Sequence, residues 1–192
     1  MKNLIYIIFA GVFLLGCSKD EDTPQPPAGE NPLETFLSVT GFNQNIYEYI
    51  DDKYYVFGMR FTPKVNGKIT DVTLKIPNND NSTHLISVNL WDVETQEVLR
   101  TASVLTLSNT GVKESIEPLS VTKDKEYMIT FNTDDYYEHS RNDGEDIAYP
   151  VTAGNIIING LNFQSGQGEI FPTANTPLDF YLGDCGFIFV KD

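Results

Sequence analysis

The side chains best suited to binding chemistry lie in one polar stretch of the sequence, Thr133–Gly154. This stretch combines six carboxylates with Tyr136, Tyr137, His139 and Arg141. Aromatic faces beside hydrogen-bond donors are what a glycan or peptide site needs. The stretch shows no strand pattern and predicts a long loop, the usual place for a binding site on a rigid scaffold. A disordered surface insertion is the alternative interpretation of the same composition.

Trp91 is the only tryptophan in the chain. Strand alternation places it on the same face as Ser87 and Asn89, opposite an apolar face. A tryptophan on a polar face predicts a stacking platform for a sugar ring. The alternative is that a loop or strand end covers the indole as second-layer core, which is usual for tryptophan.

Acid-rich turns make calcium a candidate cofactor, because hard cations take six to eight oxygen ligands. The candidate ligands are Asp134, Asp143 and Asp146, and the turn at residues 79–81 has a similar composition. No EF-hand spacing is present. Acidic turns are also expected from composition alone, since the formal net charge of the chain is −14.

Composition and motifs exclude several function classes. A nucleic-acid binder needs a basic face, which 13 Lys and Arg against 27 Asp and Glu do not provide. No Walker loop, G-x-S-x-G or H-E-x-x-H motif is present. We therefore predict no catalytic residues. Two acids on facing strands need no sequence spacing, so a glycan hydrolase stays open as an alternative.

The N-terminal residues predict a lipoprotein signal. Twelve uncharged residues, Leu4–Leu15, follow Lys2, and this run is shorter than the roughly 20 residues of a membrane-spanning helix. The ending Leu14-Leu15-Gly16-Cys17 resembles the lipobox of bacterial lipoproteins. That resemblance implies cleavage before Cys17, diacylglycerol on its sulfur and acylation of the new amino terminus. An ordinary signal peptide with an incidental cysteine is the alternative.

The residues after Cys17 predict a tether. The acidic cluster Ser18–Asp22 resembles the export signal of surface lipoproteins, which implies an outer-membrane anchor facing the extracellular medium. A solvated charge run on the periplasmic face is the alternative. Thr23–Pro32 holds four prolines and favours an extended spacer. The predicted organisation is a signal peptide (1–16), a tether (17–35) and one domain (36–192).

Period-2 alternation recurs through the domain and predicts β-strands. Its apolar positions include Phe57, Met59 and Phe61; Thr70, Val72, Leu74 and Ile76; Ile86, Val88 and Leu90; Tyr127, Ile129 and Phe131; and a last strand from about Leu178 to Val190. Turn-forming Asn, Asp and Gly residues separate these runs. The pattern predicts an all-β, antiparallel two-sheet β-sandwich of jelly-roll type, with Cys185 as a buried, inert thiol.

Short motifs occur in a fixed succession along this domain: Phe57-Gly58-Met59-Arg60-Phe61-Thr62-Pro63, Gly67–Val72, His84, Leu90-Trp91-Asp92, Tyr127–Thr130, Phe171-Pro172-Thr173 and Phe180–Phe189. The succession resembles a bacterial family known as a domain of unknown function. The resemblance implies a module of secreted or surface proteins that occurs beside immunoglobulin-like or carbohydrate-active domains. The usual G-x-H of that family is replaced here by Asn81-Ser82-Thr83-His84. The family carries no agreed catalytic residues, so none is transferred.

Together these patterns predict a monomeric soluble domain on a lipid anchor that acts as a non-catalytic binding module, with a glycan as the expected ligand. The expected ligand-binding residues are Trp91, Tyr136, Tyr137, His139 and Arg141. The alternative function is a structural or adhesive subunit that binds other surface proteins through strand edges or flat apolar contacts.

Overall fold

A computed structural model of the chain describes residues 29–77, 83–107 and 110–192. It contains two antiparallel sheets and one short helix. The predicted all-β, two-sheet sandwich is therefore confirmed. Within the three described ranges, no helix is long and apolar enough to cross a membrane. The predicted signal peptide and Cys17 lie outside the described residues.

The helix α1 spans Pro32–Thr40, and eleven strands follow it in the described chain. The strands are β1 (Asn45–Pro63), β2 (Gly67–Lys75), β3 (Thr83–Asp92), β4 (Glu97–Leu107), β5 (Val112–Val121), β6 (Tyr127–Ser140), β7 (Val151–Ala153), β8 (Ile156–Ser165), β9 (Ala174–Asn175), β10 (Phe180–Leu182) and β11 (Asp184–Lys191). The large sheet has the order β4-β3-β6-β1-β8-β7, with β10 added beside β6 and β9 beside β8. The small sheet has the order β11-β2-β5.

The core lies between the two sheets, where the alternating apolar positions meet. In the large sheet Phe57 is paired with Phe131 of β6 on one side and with Phe163 of β8 on the other. Phe61 packs across the sandwich on Phe187 of the small sheet, with ring centroids 4.4 Å apart. The predicted inward faces of β1, β3 and β6 are buried as expected.

The small sheet departs from simple alternation at one point. The pairing register of β2 shifts between Ile69 and Asp71, both with β11 and with β5. Ile69 is therefore buried together with Val72, whereas Thr70 is half-buried. A bulge that adds one residue moves the following side chains to the other face, which the alternation pattern alone misses.

The folded part begins before the predicted boundary at residue 36. Asn31 caps α1, accepting a hydrogen bond from the Glu34 N–H, proline occupies the first turn, and Gly41 ends the helix at φ 78°. Leu33 and Phe36 are buried. The predicted extent of the tether is therefore wrong for its last residues, because apolar side chains just after the cap pack on the sandwich.

The residue before this cap joins the two sheets. Glu30 N–H donates to the Phe189 carbonyl at 2.7 Å, and Phe189 N–H donates back to the Glu30 carbonyl at 2.9 Å. The Glu30 carboxylate accepts hydrogen bonds from the Asn155 backbone at 2.9 Å and from the Asn155 side-chain amide. Phe189 belongs to the small sheet, and Asn155 lies in the turn between two strands of the large sheet.

The predicted long loop Thr133–Gly154 is wrong in its first third and again at Val151–Ala153, which form β7. Residues 133–140 form the second half of β6, which pairs with the first half of β1. The strand continues because a register irregularity near Thr133, whose hydroxyl bonds the backbone of Asp135, redirects it without ending it. The remaining loop is tied down by Ile147, which is buried and donates its N–H to the Leu178 carbonyl at 2.9 Å.

The predicted last strand is divided into β10 and β11 at Gly183. Its φ of 87° and the Phe131 ring, which would lie 2.4 Å from an added Cβ, both require glycine there. Beyond this break Cys185, Phe187 and Phe189 face the core, as predicted. Burial raises the pKa of the Cys185 thiol well above its usual range, so the thiol stays protonated and unreactive.

Candidate functional site

A loop of residues 166–173, which we call the strap, crosses the outer face of the large sheet. Asn132 of β6 fixes its start: the side-chain amide donates to the carbonyls of Tyr55 (2.9 Å) and Gly166 (3.0 Å). The Asn132 amide oxygen accepts the Gly168 N–H at 2.9 Å. Gly166 and Gly168 have φ values of 139° and 106°, which favour glycine. One side chain therefore holds the strap to the sheet.

The far end of the strap covers Trp91. The Phe171 ring meets the indole edge-to-face at 5.6 Å, and the indole Nε1 donates to the Thr130 hydroxyl at 2.7 Å. Pro172 packs over Gly58, where an added Cβ would lie 2.9 Å from the proline ring. Trp91 is only 5% exposed. It belongs to a second core layer under the strap and does not form an exposed stacking platform.

Beside the strap lies a polar cleft of about 500 Å³, which we call the strap cleft. Strands β3 and β6 contribute most of its surface, and the strap and the middle of β1 complete it. It is lined by Tyr54, Thr83, His84, Leu85, Ile86, Ser87, Asn89, Asn132, Thr133, Asp134, Gln167, Gly168 and Glu169. Two well-paired strands and a pinned loop thus hold the polar groups in place.

Tyr54 and Asp134 form the aromatic and acidic part of the cleft. The Tyr54 ring is 38% exposed. The negative charge of Asp134, which also accepts a hydrogen bond from the Tyr54 hydroxyl, raises the pKa of that hydroxyl above its ordinary value. The phenol therefore stays neutral at physiological pH and keeps its ring in place beside a carboxylate.

Strand β3 supplies further hydrogen-bonding groups to the same cleft. Asn89 is buried, and its amide oxygen accepts the Thr101 hydroxyl of the neighbouring strand at 2.7 Å. That bond fixes which branch of the amide carries the N–H donors. Ser87 and His84 of the same strand also line the cleft. Donors and acceptors at fixed positions beside an aromatic ring can bind a small, hydroxyl-rich ligand.

Besides Trp91, two more of the predicted ligand-binding residues lie inside the protein. Tyr137 and His139 are buried on β6, and their ring centroids are 6.4 Å apart. Burial, with smaller effects from the charges of Glu48 and Asp184, raises the pKa of Tyr137 to about 12. His139 Nε2 lies 2.7 Å from Asp184 Oδ1. These side chains connect β6 to the rest of the sandwich and do not face the strap cleft.

Tyr136 and Arg141 lie apart from that pair and from each other. Tyr136 stacks on Tyr49 with centroids 5.2 Å apart and also contacts Phe57 at 4.7 Å. Arg141 donates to the Asp143 carboxylate, and this hydrogen bond, with one from the Glu145 N–H, lowers the pKa of Asp143. The predicted ligand-binding residues therefore lie in separate parts of the structure.

Of the predicted calcium ligands, Asp134 lies in the strap cleft and Asp143 in the exposed loop after β6. Within residues 29–77, 83–107 and 110–192, no group of three or more His, Cys, Asp or Glu side chains is arranged to hold a metal ion. Asp134, Asp143 and Asp146 thus do not form such a group. The similar turn at residues 79–81 lies outside the described residues.

Sequence reasoning missed most of the strap cleft, notably Tyr54, Asn89 and Glu169. Signals for part of it were present. Asn89 and Ser87 were placed on the polar face of a strand, and Phe171-Pro172-Thr173 was one of the motifs that resemble the family. The sequence alone does not show that this motif folds back across that polar face.

The sequence profile of a protein family described as "Domain of unknown function (DUF4082)" matches residues 43–182. The match covers most of the chain, from the start of β1 to the end of β10, and the chain belongs to this family. A search of the curated proteins finds no match.

Proposed function

We propose that this member of the DUF4082 family is a non-catalytic binding module that holds a glycan in the strap cleft. The observation that carries the proposal is the meeting of the exposed Tyr54 ring, the Asp134 carboxylate and the amide of Asn89 in one cleft. A sugar presents an apolar C–H face to an aromatic ring. Its hydroxyl groups pair with carboxylate and amide groups.

The construction of the cleft also favours binding. Asn89 is fixed by Thr101, and Asn132 uses both ends of its amide to fix the strap. Groups that are already ordered lose little conformational entropy when a ligand arrives, which improves affinity without extra contacts. A pinned strap is therefore better suited to a preformed ligand site than a mobile loop.

We propose further that the module is displayed on the outside of the cell, with a periplasmic location as the alternative. The support is the sequence Leu14-Leu15-Gly16-Cys17 and the acidic cluster Ser18–Asp22. Replacing Cys17 with Ser is expected to release the protein from membranes and to remove the mass of the acyl chains. A variant that still fractionates with membranes at unchanged mass contradicts the lipid anchor.

A glycan array probed with the full chain tests the binding proposal. Tyr54→Ala removes the stacking ring, and Asp134→Asn removes the acceptor charge. Each variant is expected to weaken binding of a retained glycan by about tenfold or more, since a stacking contact or a charged hydrogen bond contributes roughly 1–3 kcal/mol. Isothermal titration of the wild type and the variants with the best array ligand measures this.

Matched controls separate the cleft from general effects. Tyr47→Ala removes another exposed tyrosine of β1, and Glu114→Gln removes an exposed acid on the small sheet. Both are expected to keep wild-type glycan affinity. Equal losses in cleft and control variants contradict the proposal. Release of reducing ends from the bound glycan contradicts the non-catalytic part.

Calcium is proposed only as an accessory to this site, on the strength of the acid-rich sequence. The array and the titration are therefore run with added Ca²⁺ and with a chelator. If Ca²⁺ contributes, the chelator weakens glycan binding and added Ca²⁺ restores it. Identical affinities under both conditions contradict a role for the ion.

A further inference from the structure

The first half of β1 has an open backbone edge. Residues Asn45–Ile50 pair with β6 on one side, and β8 begins to pair with β1 only at Tyr55. Within the described residues, no strand is hydrogen-bonded to the other side of Asn45–Ile50. In an antiparallel pair every second residue points its N–H and C=O away from the partner. A row of backbone donors and acceptors therefore faces outward here.

This open edge carries large apolar side chains. Ile46–Ile50 are exposed without interruption, and Tyr47 and Ile50 are 53% and 55% accessible. Strand geometry places Ile46, Glu48 and Ile50 on one face and Tyr47 and Tyr49 on the other. An exposed apolar edge strand is a template for pairing with another chain.

Charge determines which partner fits. Glu48 lies at the centre of the edge between the two isoleucines, and Glu138 lies opposite Tyr47 on β6. The protein as a whole carries −14. We propose that Ile46–Ile50 captures an extended, basic segment of another protein by strand addition. In such a segment a Lys or Arg faces Glu48, and β-branched or aromatic residues flank it.

A second copy of the chain is a poorer occupant. Ile46-Tyr47-Glu48-Tyr49-Ile50 reads identically in both directions, so an antiparallel self-pair centred on Glu48 matches every side chain with its equivalent. That register places Glu48 directly opposite Glu48 of the copy, and like charges opposite one another destabilise a sheet. Glu48 thus acts against self-association while favouring a basic partner.

The N-terminal residues of the same chain are also poorly matched. Ser18–Asp22 contains three acids, and Pro24, Pro26 and Pro27 lack the N–H that a sheet ladder needs. This inference is independent of the glycan proposal, because it uses none of the residues of the strap cleft.

The test uses the full chain and a labelled peptide with the sequence Lys-Thr-Ile-Tyr-Lys-Tyr-Ile-Thr-Lys. Fluorescence anisotropy measures affinity, and hydrogen exchange measures protection of those amides of residues 45–50 that point away from β6. Two N-methylated versions of the peptide, methylated at alternate positions, keep every charge and side chain. Only the version that loses its edge-facing donors is expected to bind about tenfold more weakly, the effect of losing one to three hydrogen bonds.

A charge exchange provides the second arm. Glu48→Lys is expected to weaken the peptide by about tenfold and to strengthen one whose central Lys is replaced by Glu. Glu114→Lys makes the same change on the exposed edge strand β5 and is expected to leave both affinities within about twofold. Equal effects of the two variants, or equal binding of both methylated peptides, overturn strand addition.

The remaining outcomes also decide the question. If the amides of residues 45–50 that point away from β6 are already protected in the monomer without peptide, the chain covers its own edge. Protection that grows with protein concentration indicates a second copy. Failure of the parent peptide to bind more tightly than the version that loses its edge-facing donors, or to protect the amides that point away from β6, also overturns the proposal. A failed glycan experiment leaves all these readouts unchanged.

Discussion

The two halves of β1 have similar composition but different neighbours. Tyr55–Pro63 lies between β6 and β8 and contributes Phe57, Met59 and Phe61 to the core. Asn45–Ile50 has one neighbouring strand, and its isoleucines and tyrosines are largely exposed. An apolar side chain in a strand is therefore buried only where a second layer and flanking strands reach it. The buried half is expected to determine stability, and the exposed half is available for binding.

The largest expected effect is in the buried half. Phe61→Ala removes a ring that is fully buried and packs on Tyr127 and Phe187. The cavity is expected to lower the free energy of unfolding by about 3–5 kcal/mol. Urea unfolding followed by circular dichroism measures this. A loss below about 1 kcal/mol contradicts the assignment of Phe61 to the centre of the core.

The next effect is expected beneath the strap. Trp91→Phe keeps an aromatic ring but leaves the buried Thr130 hydroxyl without the indole N–H. An unsatisfied buried group costs about 1–3 kcal/mol of stability. Adding Thr130→Val removes that unsatisfied hydroxyl and is expected to recover part of the loss. If the double variant loses at least as much unfolding free energy as the two single variants lose together, Trp91 and Thr130 are not a direct pair.

A pH-dependent effect is expected where β3 ends. The Asp92 carboxylate accepts hydrogen bonds from Lys125 Nζ at 2.6 Å and from the backbone N–H groups of Glu94 (3.0 Å) and Thr95 (3.4 Å). These bonds lower the pKa of Asp92, although burial opposes them. A lowered pKa contributes stability above the unfolded-state value, about 4, and that contribution is lost as the pH falls through the folded-state value.

The difference in unfolding free energy between the wild type and Asp92→Asn is therefore expected to be full at neutral pH and to shrink below about pH 4. Denaturant titrations at several pH values measure it. A difference that stays constant down to the lowest pH at which the protein is folded contradicts the charged role of Asp92. Asp124→Asn serves as a control, because its carboxylate is exposed.

The smallest effect is expected in the exposed half of β1. Tyr47→Ser removes a side chain that is more than half accessible to solvent, and surface changes of this kind usually stay within about 0.5 kcal/mol. Thermal unfolding of Tyr47→Ser and of Phe61→Ala, measured side by side, compares the two losses of stability. A destabilisation as large as that of Phe61→Ala means that the two halves of β1 do not differ as described.

Alternation predicted the sandwich and its inward faces because the period of two is a local property of strands. Local signals for α1 are also present, asparagine before Pro32 and Gly41 at the end, but the prediction assigned residues 17–35 to the tether and no helix to this segment. The bulge near Thr133 and the extension of β6 were not predictable in this way. Polar residues such as Asp135 and Glu138 resemble a loop, and only pairing with distant Ile50 and Tyr47 makes them a strand.

The candidate site was predicted less well than the fold for a related reason. Asp134, predicted from its residue type as a calcium ligand, lies in the cleft, yet the cleft depends on a strap about 30 residues further along the chain. Trp91 and Tyr137 have the residue types of a binding site but lie under other elements. Whether an aromatic ring is exposed depends on what crosses over it, which composition and spacing do not specify.

The position of Glu30 has a mechanical consequence. A pull from the N-terminal side enters the folded part at this residue, which is bonded both to Phe189 in the small sheet and to Asn155 in the large one. Tension is thus divided between the two layers before it reaches α1, and neither sheet is peeled away by itself. If the chain is anchored through its N-terminal residues, as proposed, the domain resists extension through this shared point of attachment.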